Sequence, residues 1–156
     1  MKKCLIIFIG FLFICSFMCP TIRAYAVDLD QIQKISENGM NAYKMWMNVT
    51  AENIANASTT RTPEGGPYKR KFIVLVPTKA GVKVAMVSKD NRTPLVKVYD
   101  PGHPDADRYG FVYMPNVDIS NELIKLNNIS SLYEANMAAL KTIQSMQEAV
   151  VDFYRQ

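Results

Sequence analysis

Two long amphipathic stretches, one near each end of the chain, constrain the fold most strongly. In residues 28–57, mostly apolar positions recur at alternating spacings of three and four, at Ile32, Ile35, Gly39, Ala42, Trp46, Val49, Asn53 and Asn56. In residues 119–155, the same spacing recurs at Ile129, Leu132, Asn136, Ala139, Ile143, Met146, Val150 and Phe153. Because this spacing keeps one stripe of a helix facing a neighbouring helix, each stretch predicts a long helix with a heptad seam.

The residues between the two predicted helices have a different pattern. A turn cluster at 62–67 precedes three predicted strands, which lie at 68–76, 82–87 and 95–99. A polar loop at 100–107 and a short strand-like run at 109–113 follow them. The predicted fold class is α+β, in which long N- and C-terminal helices pair as a coiled coil beside a small central antiparallel β module. The corresponding boundaries are 27–61 for the first helix, 62–117 for the β-rich module and 118–156 for the second helix.

The first 26 residues have the three-part pattern of a secretory signal peptide. Lys2 and Lys3 give a positive start, residues 5–15 are apolar, and Ala24 and Ala26 form a small-x-small cleavage site. The longest apolar count is 16 residues, and a bilayer span needs about 20. A cleaved signal is therefore favoured over a membrane anchor, and we predict cleavage after Ala26.

The composition argues against several classes of function once it is located along the chain. The net charge of +4 falls to +1 without residues 1–26, and all three cysteines lie in those residues. This distribution argues against a strongly basic nucleic-acid-binding protein, a disulfide scaffold, a thiolate zinc site and a cysteine nucleophile.

The single histidine, His103, lies in a polar loop that also contains Asp100, Asp105 and Asp107. A metal-binding loop is one interpretation, but no second histidine or nearby cysteine completes a transition-metal site, so a rigid surface turn is favoured. The chain also lacks a Gly-Lys-Ser/Thr phosphate loop and a Gly-x-Ser-x-Gly elbow. We therefore predict no enzyme activity, no cofactor, no metal, no nucleic acid and no small-molecule substrate.

The apolar stripes on the predicted helices are longer than a β module of about 50 residues covers. One interpretation is that other protein chains cover the remainder. The alternative is a monomeric helical hairpin with a β insertion, and the heptad signal does not distinguish the two. Polar seam residues such as Asn53, Asn56 and Asn136 are typical of positions that specify register and partner at a cost in stability.

Three ordered blocks, at residues 51–71, 99–117 and 131–136, resemble the rod, hook and hook-associated proteins of the bacterial flagellum. The first contains Asn-Ile-Ala-Asn at 53–56 before a threonine-rich turn. Its extension at 61–68, Arg-Thr-Pro-Glu-Gly-Gly-Pro-Tyr, is similar to the FlgC family of basal-body rod proteins. The motif residues are Asn53, Asn56, Thr60, Arg61, Thr62, Pro63, Gly65, Gly66, Pro67, Tyr68, Asp100, Pro101, Pro104, Asp105, Tyr133, Glu134 and Asn136.

The resemblance implies a structural protein of the proximal rod, the hollow tube that transmits torque from the membrane ring to the distal rod and hook. It implies paired terminal helices near the tube axis, an outer β layer, and contacts with itself, other rod proteins and membrane-ring or rod-adaptor proteins. Members of the family normally begin near the position of Val27 and leave through the flagellar export apparatus. The signal peptide therefore keeps a second interpretation open, a Sec-exported periplasmic interaction module working outside a normal flagellum.

Overall fold

The computed structural model describes residues 29–155, and two long helices form its frame. Helix α1 spans Leu29–Ala55 and helix α2 spans Ile119–Arg155. At 1.5 Å per residue they are about 40 Å and about 55 Å long. The two helices pack against each other, so the predicted pairing of terminal helices is confirmed. The predicted signal peptide and its cleavage site lie outside the described residues.

Local hydrogen bonds fix where the helices end and begin. Asn56 folds its side chain back onto the end of α1, and its Nδ2 donates to the carbonyl of Glu52 at 2.9 Å. Asp118 caps α2, because its Oδ1 accepts from the backbone N–H of Asn121 at 3.1 Å and satisfies a donor that lacks an intrahelical partner.

Four short strands lie between the helices: β1 (Lys71–Thr78), β2 (Gly81–Lys89), β3 (Val96–Tyr99) and β4 (Phe111–Met114). Strand β1 pairs with β2 and β3 pairs with β4, both antiparallel, as two separate two-stranded sheets. The antiparallel β content is therefore as predicted, and it is divided between two small sheets.

Strand β1 differs from its prediction at both ends. It begins at Lys71 because Tyr68 and Arg70 use their backbone N–H groups outside the ladder, on the Thr59 carbonyl and the Asn116 side chain. It continues through Pro77, which was expected to end it. Proline has no N–H to donate, and the edge of a two-stranded sheet tolerates that loss.

The β1–β2 hairpin lies along α1 and is fixed to it at both ends. At the turn, Asn38 donates from Nδ2 to the carbonyl of Ala80 at 2.9 Å. Gly81, with φ of +93°, lies so close to α1 that a Cβ there would be 3.2 Å from the Ile35 carbonyl oxygen. At the open end, Asn53 holds the start of β1. Helix α1 is thus the central element, with α2 and the hairpin both packed on it.

The hydrophobic core is small for a chain of this length. Its buried apolar side chains are Ala42, Val49, Tyr68, Val112, Ile129 and Ile143. No helix within residues 29–155 combines the length and the hydropathy that crossing a bilayer requires. Because few apolar side chains are buried, large apolar side chains stay exposed on both helices and both sheets.

Candidate assembly interface

The predicted seam positions of α2 fall on two adjacent faces. Ile129 and Ile143 are buried and Asn136 is half-buried, on the face that meets α1. Tyr133 and Leu140 complete this inner face. The other predicted positions are exposed: Leu132, Ala139, Met146, Val150 and Phe153. Sequence spacing alone did not separate the positions that serve the chain's own helix pair from those left for other partners.

The predicted seam of α1 is mostly turned inward. Gly39, Ala42, Val49 and Asn53 are buried, and Trp46 and Asn56 are half-buried. Near the start of the helix the seam opens, because Ile32 and Ile35 are more than one-third exposed. Most positions on α1 therefore serve contacts within the chain.

The exposed predicted positions of α2 lie along one side of the helix, and we call them the outer ridge. It comprises Leu132, Ala139, Met146, Val150 and Phe153. Leu132 is 45% exposed, Met146 is 52% exposed and Phe153 is 78% exposed. Four of the five positions repeat every seven residues, which keeps them on one side of a helix.

Asn53, in the Asn-Ile-Ala-Asn motif, joins three parts of the fold. Its Nδ2 donates to the Lys71 carbonyl at 2.8 Å and to Glu122 Oε2 at 3.0 Å. Its Oδ1 accepts from the Tyr68 hydroxyl at 2.9 Å and from the Lys71 N–H at 2.8 Å. All four hydrogen-bonding positions of the amide are used. Asn53 was expected to specify register in a seam, and its partners here lie within its own chain.

Glu122 is the buried charge at the centre of this cluster. Its Oε1 accepts from Arg70 Nε at 2.9 Å and from Lys125 Nζ at 2.7 Å. Burial alone raises the pKa of Glu122, but hydrogen bonds from Lys125, Asn53 and Arg70 outweigh it and hold the pKa below its ordinary value. Burial, with Glu52 and Glu122 nearby, raises the pKa of Tyr68 to about 12.

The turn after α1 is closed by its own hydrogen bonds. The backbone N–H of Thr62 donates to the carbonyl of Gly66 at 2.8 Å, and the Thr62 hydroxyl donates to the same oxygen at 3.1 Å. Gly65 and Gly66 have φ of +93° and +73°, a backbone conformation that glycine adopts without strain. Pro63, Gly65 and Gly66 are exposed, and Pro67 is half-buried.

The second motif block meets the first at Asp105. Thr60 donates from its hydroxyl to Asp105 Oδ2 at 2.8 Å, and the Arg61 guanidinium lies 3.6 Å from Oδ1. Pro101 and Pro104, in the same loop as Asp100, are exposed. Glu134, on α2, is also exposed. The structure thus brings together Asn53 with Tyr68, and Thr60 and Arg61 with Asp105. The other motif residues are not gathered in one place: some are half-buried, namely Asn56, Thr62, Pro67, Tyr133 and Asn136, and the rest are exposed.

Comparison with known proteins identifies the family of this chain. Residues 108–152 match the family described as the flagellar basal body rod FlgEFG protein C-terminal. The chain is 35% identical over 135 residues to the flagellar basal-body rod protein FlgC of Borreliella burgdorferi, covering 72% of this chain and 88% of the relative. The chain belongs to the FlgC family. It is also 40% identical over 118 residues to FlgC of Salmonella typhimurium, covering 72% and 87%, and 32% identical over 133 residues to FlgC of Agrobacterium fabrum, covering 81% and 96%.

Membership of the FlgC family makes this protein a structural subunit of the flagellar basal-body rod. The names of these relatives describe a rod protein and no enzyme. The resemblance drawn from the motif residues is therefore confirmed at the level of family and function.

Three residues that organise this fold do not stand out in the sequence. Neither Glu122 nor Arg70 was predicted as a site residue, and the two are bound to each other. Asn116 is buried and bonds the Arg70 N–H and the carbonyls of Asp90 and Thr93. The only signal was the placement of polar residues beside apolar ones at the start of α2, which does not reveal a partner distant in sequence.

His103 takes part in the turn that carries it. Its Nδ1 accepts from the N–H of Asp105 at 3.0 Å. Among residues 29–155 no group of three or more histidine, cysteine, aspartate or glutamate side chains is arranged to hold a metal ion.

Proposed function

We propose that this protein is a subunit of the proximal rod, and that the outer ridge of α2 is the surface on which neighbouring rod subunits pack. The observation that best supports this proposal is the exposed apolar outer ridge. An apolar strip along most of a 37-residue helix exceeds what a soluble monomer usually leaves in water, and strips of this kind mark contacts between proteins.

The end of α2 strengthens the proposal. Gln147 is hydrogen-bonded to Asp30 and Gln33 in the first turns of α1. The eight residues of 148–155 therefore extend beyond the start of α1. They carry four exposed apolar side chains that point to several sides of the helix: Val150, Val151, Phe153 and Tyr154. A helix that is apolar on several sides belongs in a buried environment, which we assign to the rod wall.

The partners we propose are other copies of this chain, other rod proteins, and the membrane-ring or rod-adaptor proteins below them. Packing that repeats head to tail without closing generates a helical tube. In that tube the paired helices lie toward the axis, the two sheets form the outer layer, and the subunit transmits torque from the membrane ring to the distal rod and hook. The role is structural and uses no cofactor.

We further propose that the chain reaches its place in the periplasm-spanning rod by export with cleavage after Ala26. Cleavage there leaves two residues before α1, which begins at Leu29. N-terminal sequencing of the protein in isolated basal bodies tests this step: a first residue other than Val27 contradicts it.

Electron cryotomography of an in-frame deletion strain beside its parent tests the main proposal. The expected result is basal bodies that stop at the membrane ring and lack a rod. Restoring the gene on a plasmid should restore the rod, which controls for effects on neighbouring genes. Intact rods and filaments in the deletion strain would contradict the proposal and favour a periplasmic interaction module outside the flagellum.

A further inference from the structure

The positive charge of the chain is concentrated on one hairpin. Residues 69–92 contain seven lysines and arginines and one acid, whereas residues 93–156 contain five cations and eight acids. The hairpin β1–β2 makes up most of the basic segment. A charge asymmetry of this size within one small protein favours contact with an acidic surface.

The register of the hairpin shows which of its faces is free. Residues opposite one another in an antiparallel pair share a face. Lys71, Ile73 and Leu75 lie on the inner face, because Lys71 forms an ion pair with Glu52 of α1. The pairs on the other face are Phe72 with Ser88, Val74 with Met86, and Val76 with Lys83. We call these six residues the hairpin outer face.

The hairpin outer face is apolar at its centre and basic around it. Phe72, Val76 and Met86 are exposed, and Met86 is 54% exposed. Lys83 lies on this face, and Lys79 and Arg92 lie at the two ends of the hairpin. These three side chains form no ion pair with any residue in 29–155. The other cations of the segment are engaged: Arg70 with Glu122, Lys71 with Glu52, Lys89 with Glu64, and Lys69 with Asn91.

A surface of complementary character lies on the other sheet and its loop. Tyr99, Tyr109 and Tyr113 are exposed there, and Tyr99 is 65% exposed. Loop 100–107 contains three aspartates and no lysine or arginine. We call Tyr99, Asp100, Asp107, Tyr109 and Tyr113 the tyrosine–aspartate surface.

The two aspartates of that surface keep free charge. Asp100 and Asp107 each use Oδ1 to accept backbone N–H groups, from Gly102 and from Tyr109 and Phe111. Their Oδ2 atoms have no partner within residues 29–155. The backbone N–H of Phe111, with that of Tyr109, holds the pKa of Asp107 below its ordinary value, so this group stays ionised.

Two cations also lie on the tyrosine–aspartate surface, Lys97 directly opposite Tyr113 in the strand register and Arg108 next to Tyr109, and both lie over rings. Lys97 Nζ is 4.0 Å from the centre of the Phe111 ring, and the Arg108 guanidinium is 4.8 Å from that of Tyr109. Neither Asp100 nor Asp107 forms an ion pair within residues 29–155, although the charge of Lys97 contributes to the lowered pKa of Asp107.

We propose that the hairpin outer face of one copy docks on the tyrosine–aspartate surface of a second copy. Within one chain the two sheets do not contact each other, so the complementary surfaces are available to different copies. They lie on different parts of the molecule, and the contact is therefore heterologous and able to repeat from subunit to subunit. This inference rests on the proposed function, since it supplies the outer-layer contact between adjacent subunits of the rod.

The apolar centre of the hairpin face favours this occupant over a simple polyanion. Phe72, Val76 and Met86 need an apolar partner, which three exposed tyrosines provide together with hydroxyl groups that accept from lysine. An anionic bilayer also combines charge with apolar surface, and the experiment distinguishes the two.

Cross-linking between copies tests the contact. No cysteine follows residue 19, so the chain left after cleavage at Ala26 has none of its own. One tagged copy carries Met86→Cys and a differently tagged copy carries Tyr109→Cys. Both are expressed together in the native organism, and basal bodies are isolated under mild oxidation. We expect a disulfide-linked dimer that contains both tags. Met137→Cys, an equally conservative change at an exposed position of α2, is the matched control and should give no dimer with Tyr109→Cys.

Charge reversal tests the electrostatic part. Lys79→Glu with Lys83→Glu should lower the yield of the mixed dimer about tenfold, because unlike-charge pairs become like-charge pairs. The arginine variants at both positions should retain it. Lys34→Glu with Lys44→Glu makes the same change in charge on α1 and should leave the yield unchanged.

Three results would overturn the inference: no mixed dimer in basal bodies that contain both copies, an equal yield with Met137→Cys, or disulfides only between hairpin residues and another protein. Recovery of the protein with anionic vesicles and without any cross-link would assign the hairpin to a bilayer instead. If the cross-link is absent but the deletion strain lacks rods, the docking inference is wrong and the rod proposal stands. If the cross-link forms but the deletion strain still builds rods, the docking inference stands and the rod proposal is wrong.

Discussion

Asn53 donates from Nδ2 to Oε2 of Glu122 at 3.0 Å, and both residues are only 1% exposed. The bond joins the end of α1 to the start of α2, and the same two side chains also hold β1 through Lys71 and Arg70. A single polar cluster therefore fixes how the helix pair and the hairpin meet. The buried side-chain nitrogen and oxygen atoms of the described residues all have hydrogen-bond partners, as a stable polar cluster requires.

The first prediction concerns Asn53 itself. Asn53→Leu leaves the Tyr68 hydroxyl, the Lys71 N–H and one oxygen of Glu122 without a partner in a buried place. We expect a loss of at least about 3 kcal/mol in the free energy of unfolding, since each of these three unsatisfied buried groups costs about 1–3 kcal/mol. Urea denaturation of the mature chain, followed by circular dichroism, measures it.

Asn41→Leu is the control for Asn53→Leu. Asn41 is exposed on the same helix, so the same change in chemistry there should alter the free energy of unfolding by about 0.5 kcal/mol or less. Equal urea midpoints for the two variants would show that the cluster contributes no stability.

The second prediction concerns the acid dependence of stability through Glu122. The folded-state pKa of Glu122 is lowered from its ordinary value of 4.5. The ionised carboxylate therefore favours the folded state above that value, and the contribution is lost as the pH falls through the lowered pKa. Glu122→Gln should be less stable than the parent by about 1–3 kcal/mol near neutral pH. The gap should narrow at about pH 3.

Urea midpoints of the parent and Glu122→Gln at both pH values measure this effect. Glu134→Gln, on the exposed side of α2, is the matched control and should follow the parent throughout. A constant gap between the parent and Glu122→Gln across the pH range would contradict the assignment of the acid effect to Glu122.

The sequence predicts the helices well because their signals are local. The spacing of apolar residues predicts α2 over 119–155, where the structure places it, and the stretch 28–57 matches α1 within two residues at each end. The wider boundary at residue 61 lies six residues past the end of α1 at Ala55. Glycines at 65, 66 and 81 mark turns correctly, since each has a positive φ. These features depend on neighbours within a few residues.

Partners distant in sequence are what the pattern does not contain. Arg70 and Glu122 are bonded across 52 positions, and neither residue type nor spacing indicates that pairing. For the same reason the heptad pattern identifies both stripes of α2 but not which one faces α1. Ile143 and Met146 are both in the predicted seam, yet the first is buried and the second is exposed.

The third prediction concerns the close approach of the helices at Gly39. A Cβ there would lie 3.2 Å from Oδ1 of Asn136, so Gly39→Val crowds the Asn136 side chain, which must shift to make room. We expect a loss of about 1–3 kcal/mol in the free energy of unfolding, which is typical of overpacking. In an Asn136→Ala background the loss should be smaller, because the contact that causes it is gone.

A double-mutant cycle on urea midpoints measures the coupling between Gly39 and Asn136. Ala51→Val, at an exposed position of α1, controls for the cost of a β-branched residue in a helix. Identical losses for Gly39→Val with and without Asn136 would place the cause of the destabilisation elsewhere.

The last prediction separates the inner face of α2 from its outer ridge. Met146→Glu changes an exposed ridge position, so the free energy of unfolding should stay within about 0.5 kcal/mol of the parent. Incorporation into rods should be lost, because a buried, unpaired carboxylate at a subunit contact is strongly unfavourable. Met137→Glu is the matched control, an exposed methionine away from the ridge, and should assemble normally.

Ile143→Glu should instead unfold the protein, since Ile143 is buried against α1. The amount of each variant in basal bodies of the complemented deletion strain, beside its urea midpoint, measures both effects. Normal incorporation of Met146→Glu into rods would show that the outer ridge is not the subunit contact. An equal loss of incorporation for Met137→Glu would mean that any added charge on α2 blocks assembly.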